Sequence, residues 1–303
     1  YGGLYLIHAM APEIRPDGVT YHLGLVRRYY GAHGFPIITT NIYAYLSQGM
    51  EMLYLFSYAV GRHSAAKLVH YCMLFGGAGA MLLFARRFQV WPAGVIGAIL
   101  YVCTPVVGAV ATSTYNGCAL ALFQFVTVYA LFLWWKKRQD EWLLILGILS
   151  GFCFSIKYTG YFAIPLVLIV VAWGSWSRLK QLDIVFRRLL IAGFCASVFV
   201  APWLIKNMLL VDNPVAPFYN RVFPNPYVTA SFEDTFRSYL VDYSHNDTVT
   251  SWVEYALELT SRGVRFQGLL GPVFLLTPFA FLAWRFPVGW PLLACSLLFA
   301  LPW

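Results

Sequence analysis

Residues 117–160 read GCALALFQFVTVYALFLWWKKRQDEWLLILGILSGFCFSIKYTG. An apolar run over 117 to 135 meets Lys136, Lys137 and Arg138, and a second, shorter run over 142 to 156 ends at the polar turn Lys157 to Gly160. A run of about 20 apolar residues is long enough to cross the hydrocarbon core of a bilayer. Lys and Arg gather in the connections that stay cytoplasmic. The stretch is therefore a hairpin of two membrane spans, with its basic turn inside and the Lys157 turn outside.

Comparable runs recur at about 65 to 85, 90 to 111, 161 to 176, 187 to 205, 268 to 284 and from 287 onward. The chain is 60% hydrophobic and only 11% charged, and its mean hydropathy is +0.65. A soluble domain carries roughly a quarter charged residues, so the expectation is an all-α, polytopic transmembrane bundle forming one domain over 1–303. Opening at Tyr1 and stopping at Trp303 within an apolar run, the sequence reads as a piece lacking a first span and a C-terminal portion.

The net charge of +8 does not point to nucleic acid, because of where the charge lies. Arg86 and Arg87, Lys136 to Arg138, the group from Arg178 to Arg188, and Arg285 occupy every second connection, ten basic residues against three acids (Asp140, Glu141, Asp183). That alternation sets the orientation. Residues 1–62 become the first outer loop and 206–266 a second, with short outer turns at Thr112 to Gly117 and Lys157 to Gly160. Nothing points to an ATP-driven machine, since there is no Walker A motif and no cytoplasmic segment long enough for a nucleotide-binding domain. The cysteines are scattered without a CxxC pair, and the histidines, His245 among them, show no metal-ligand spacing, so no cofactor and no dedicated metal site is implied.

Acids are absent from the long apolar runs, and two of them sit against the mouth of the spans, Asp17 and Glu51. Val19, Leu23, Val26 and Tyr30 follow helical spacing with Arg27 and Arg28 on the other side, predicting a helix lying on the membrane surface. Asp17 then falls at its N-terminus, where a cap would account for it as well as catalysis would. A second helix is predicted from near Ser47 toward Gly61, with Glu51 in its first turn, favoured there by the helix dipole. Tyr21 and His22 belong to an aromatic-rich stretch suited both to the membrane interface and to sugar faces. Lys157, Lys206, Arg221, Arg262 and Arg265 recur at outer helix ends, where they snorkel or bind a phosphate. Asn246-Asp247-Thr248 fits a glycosylation sequon.

Taken in order, the Asp17 loop, Gly49-Met50-Glu51-Met52-Leu53-Tyr54, Ile156-Lys157-Tyr158-Thr159-Gly160, and Pro202-Trp203-Leu204-Ile205-Lys206-Asn207 leading to Asn213-Pro214-Val215-Ala216-Pro217-Phe218-Tyr219-Asn220-Arg221 resemble membrane glycosyltransferases of the GT-C superfamily. The branch is the family-39-like one that holds protein O-mannosyltransferases and the lipid A aminoarabinose transferase. The resemblance implies a bacterial inner-membrane enzyme moving a sugar from a polyprenyl-phosphate donor to a lipid, glycan or protein acceptor at the outer face. It implies Asp17 as base and matches Glu51 only loosely as a second catalytic acid, while the residues themselves offer Tyr21, His22, Lys157, Tyr158, Lys206 and Arg221 as candidate substrate contacts. This chain departs from the pattern in two places. Asp17 is followed by Gly18 where protein mannosyltransferases have an Asp-Glu pair, and the second outer turn has Tyr115-Asn116-Gly117 where many relatives have an acid. The rival class is a transporter or flippase of lipid-linked saccharides; midplane ionisable sites and repeated halves would mark it, and the sequence displays neither.

Overall fold

The computed structural model describes residues 1–243, 249–263 and 269–300. His245, the sequon Asn246-Asp247-Thr248 and Arg265 lie outside the described residues. The described chain is helical, with one isolated bridge between Asn225 and Val228. The helices are α1 Gly2–Met10, α2 Leu23–Ala32, α3 Gly49–Arg87, α4 Trp91–Cys103, α5 Pro105–Ala111, α6 Gly117–Lys137, α7 Glu141–Ile156, α8 Ala163–Leu179, α9 Leu182–Val211, α10 Ala230–Tyr243, α11 Val249–Ser261 and α12 Gly289–Ala300.

Four described segments are long and apolar enough to cross a membrane: Gly49–Arg87, Gly117–Lys137, Tyr158–Leu179 and Leu182–Val211. A fifth is the pair α4 and α5, bent by 65° at Thr104 and Pro105, where the proline ring forbids a straight continuation. The protein is thus an integral membrane bundle, and large apolar side chains such as Phe194, 72% exposed, and Trp173, 70% exposed, face outward from its spans. The expected span over 268 to 284 differs: Pro272–Arg285 is a 3-10 helix with Pro278 inside it. Proline removes a backbone donor and clashes with an α-helical turn.

Helix α3 is two helices joined at a kink. Gly61 and Arg62 are non-helical, with Arg62 at φ 59° and ψ −147°, a conformation held at some cost. The Arg62 guanidinium lies 4.9 Å from the centre of the Tyr30 ring of α2. The first outer segment also differs from its expected limits. Residues 2–10 form α1, which runs antiparallel along the membrane-crossing half of α3: Tyr71 donates to the Gly2 carbonyl at 3.0 Å, and Ser64 to that of Met10 at 2.9 Å. Lys67 donates at 2.9 Å to the carbonyls of both His8 and Ala11, closing the C-terminus of α1 with a cation. The apolar residues Leu4 and Ile7 of α1 are exposed, and the irregular stretch begins after α1, at Ala11.

Two cores stack along the bundle. One joins Val26, Met50, Tyr54, Ala119, Cys153 and Ile156 at the end that carries the polar loops. The other joins Leu131, Trp134, Leu143, Leu146, Val171 and Ala192 toward the basic end. There Asp140 accepts from Arg187 at 2.9 Å and from Arg188 at 2.8 Å, and Arg188 also donates to the Arg138 carbonyl at 3.2 Å. The basic connections thus converge on one end and leave the other to the polar loops. Between them α7 packs along α9, with Gly147 against the Ala192 backbone and Gly151 against that of Ala196. Such small residues let two spans touch through their main chains.

Candidate active site at the outer mouth

Pro16 and Asp17 open a helical stretch that runs through a π turn, Gly18–His22, into α2. The π turn rotates the helix face. Leu25, Val26 and Tyr29 are buried, while Val19, expected on that face, is exposed. Gly18 is required here because a Cβ would strike the carboxylate of Glu13. Asp17 has αR dihedrals and makes no side-chain cap bond, so the expected N-cap does not form.

Four segments bring side chains to that carboxylate. Tyr21 lies one turn on, and burial together with the Asp17 carboxylate pushes its phenol up. Tyr43, stacked on Tyr21 at 4.3 Å, and Tyr115 of the second outer turn are raised by burial and by the same charge. Lys157, from the third outer turn, is pushed down to about 8 by burial, against the pull of Asp17 in the other direction. An exposed carboxylate and a half-buried ammonium therefore share one mouth, walled by three tyrosines.

Glu51 lies deeper, 3% exposed, in the first turn of α3 as expected. Its Oε1 is 2.5 Å from Nδ1 of buried His22, so that nitrogen carries the proton and donates. Lys206 reaches the same place from α9, donating to the Ala44 carbonyl at 2.8 Å and to Oε1 of Gln48 at 3.2 Å. It stands among aromatic rings, 5.3 Å from the centre of Trp203 and 5.9 Å from that of Phe35. Among the described residues no group of three His, Cys, Asp or Glu side chains gathers in a way that could hold a metal ion.

The second outer turn has no acid of its own but receives one. Oε2 of Glu13 accepts from the Thr114 backbone at 2.6 Å and from its hydroxyl at 3.0 Å, while Oε1 accepts from the Ile14 and Arg15 backbones. The turn is further fastened by Tyr54, which donates to the Tyr115 carbonyl, and by Asn116, which donates to that of Ile156 at 3.0 Å. His70 completes the clamp: its Nδ1 donates to the Ser113 carbonyl at 3.0 Å and its Nε2 accepts from the Cys118 backbone at 3.1 Å. Glu13, Tyr43 and Tyr115 escape a reading of the sequence because only the fold brings 11–16, 41–45 and 112–117 together. Tyr158 and Arg221 stand apart from the mouth's chemistry. The Tyr158 hydroxyl donates toward the Ala216 and Tyr45 carbonyls at 3.0 and 3.2 Å, tying two loops. Arg221, on the surface, pairs with Asp234 at 2.9 Å.

Residues 52–205 match the family model described as dolichyl-phosphate-mannose-protein mannosyltransferase. The chain belongs to that family. Within this mannosyltransferase-family region lie Lys157 and Tyr158, with Glu51 and Lys206 immediately outside its two ends and Asp17 in the loop before it. No curated protein matches the chain. Among solved structures it is similar to ArnT from Cupriavidus metallidurans in the apo state, with 16% identity and a TM-score of 0.54 over 73% of this chain. The likeness shows the fold, which is of the GT-C type. This chain spans 42% of the length of that protein.

Proposed function

We propose that this protein transfers a sugar from a polyprenyl-phosphate donor to a hydroxyl of a lipid, glycan or protein acceptor, at the outer face of the bacterial inner membrane. The reading is carried by the placing of Lys157 within the field of the Asp17 carboxylate, which holds its ammonium up against the effect of burial. Asp17 takes the proton of the acceptor hydroxyl as its oxygen attacks the anomeric carbon, giving inversion. The bond from that carbon to the phosphate oxygen breaks, and its electron pair stays on the phosphate. Lys157 and Lys206 steady the charge that develops there. A phosphate leaves without a proton from the protein, so a single base suffices, in contrast to the paired carboxylates of glycoside hydrolysis.

The test is reconstitution of the full-length protein in liposomes with labelled polyprenyl-phosphate mannose, glucose and arabinose and a membrane-lipid acceptor. Transfer with release of bare polyprenyl phosphate is expected for one donor. Movement of intact donor across the bilayer without that release would overturn the reading in favour of a flippase.

A further inference from the structure

At the start of α3 three buried polar atoms have no protein partner, Oγ of Ser47, Nε2 of Gln48 and Oε2 of Glu51, and the last two belong to the most buried of these residues. Gln48 and Glu51 are 2% and 3% exposed. The orientation of the Gln48 amide is fixed by its neighbours. Lys206 can only donate, so the atom it meets at 3.2 Å must be the amide oxygen, which also accepts from Tyr29 at 3.0 Å. Turning the amide over would set two N–H groups against an ammonium. Nε2 therefore points its two N–H bonds elsewhere, with nothing to receive them. Three residues on, Glu51 gives Oε1 to His22 and leaves Oε2 unmatched. Beside Lys206 in α9, the fully buried Asn207 also holds an unmatched oxygen, its Oδ1.

Donor and acceptor stay unpaired within one turn of the start of α3, and unpaired buried polar groups are costly. A bound anion would satisfy Nε2 but be repelled by the Glu51 carboxylate. A cation drawn to Glu51 would meet Lys206. A neutral hydroxyl both donates and accepts, and so completes both groups. We propose that Gln48 and Glu51 form a subsite for a ring hydroxyl of the donor sugar, next to the Lys206 ammonium that faces the carrier phosphate. The inference rests on the proposed sugar transfer and assigns which residues read the sugar rather than its carrier.

The experiment compares the affinity of the full-length protein for the polyprenyl-phosphate sugar it binds best, among mannose, glucose and arabinose forms, with its affinity for bare polyprenyl phosphate. Gln48→Met is expected to lower the ratio of the two by about tenfold, the loss of one hydrogen bond to a neutral hydroxyl in a dry site. Lys157→Met is expected to weaken both ligands and leave the ratio alone. Retained binding of bare carrier certifies that Gln48→Met is folded; if it is lost, Glu51→Gln replaces it and the same fall in ratio is expected. An unchanged ratio overturns the subsite and assigns the two atoms to water. A raised acceptor KM with an unchanged ratio overturns it in favour of the acceptor. Failure of the wild type to bind either ligand removes the transferase reading, and the subsite with it.

Discussion

At Asp17 no side-chain cap bond forms, and the carboxylate acts instead on its neighbours, pushing the Tyr21 phenol up. Asp17→Asn and Asp17→Ala are therefore both expected to fold, because no capping bond is lost. Turnover should fall by roughly 10² to 10⁴ in each, the usual loss for a general base. An Asn variant that transfers at the wild-type rate would eliminate Asp17 as the base. Lys157 adds a pH dependence whose sign is set by its surroundings. Burial lowers its folded-state value to about 8 from an ordinary 10.5, so the ammonium is present below that pH and lost above it. The kcat/KM for donor, which reports the free protein, is expected to decline above about pH 8, and bound phosphate should push the corresponding limb of kcat higher. Arg does not titrate in this range, so Lys157→Arg should carry the kcat/KM limb upward; an unmoved limb would assign the titration to another group.

At the scale of elements, periodicity marked α2 and the first half of α3, down to the break at Gly61, because an amphipathic face repeats whatever the helix packs on. It could not reveal the π turn at Gly18–His22. That turn depends on contacts from afar, with Gly18 yielding space to Glu13 and Glu13 held by Thr114. Nor could it reveal that Glu51 would be buried on His22, since local spacing says nothing of depth. The α7–α9 pair sets the reach of both lysines, because Lys157 ends α7, Lys206 lies near the end of α9, and Trp203 donates to Ser155 between them at 2.7 Å. Gly151 touches the Ala196 backbone, leaving no room for a side chain. Gly151→Leu is expected to separate the two helices, at about 1 to 3 kcal/mol or more for overpacking. A lower melting temperature in detergent, together with weakened donor binding, would report it. An unchanged melting temperature would mean that the helices slide apart without cost and that this contact does not set the site.

At the scale of the molecule, one end carries Arg187 and Arg188 paired with Asp140, with Arg188 also bonded to the Arg138 carbonyl, and the other carries Asp17, Glu51, Lys157 and Lys206. The alternation of basic connections was legible in the sequence because charge placement relative to a bilayer is a property of each loop on its own. The assembly of the mouth was not, because it draws on four loops whose meeting depends on how the spans pack. The two ends should therefore face opposite sides of the membrane, with the basic end cytoplasmic. In a background with the six native cysteines removed, single cysteines replacing exposed Gly34 and exposed Ser231 are expected to react with an impermeant maleimide in intact spheroplasts. A cysteine replacing exposed Gln139 should react only after lysis. Since Gly34 and Ser231 lie on different outer segments, joint labelling tests the bundle's orientation rather than one loop. The reverse pattern would place Asp17 on the cytoplasmic side, where the proposed outer acceptor could not meet it.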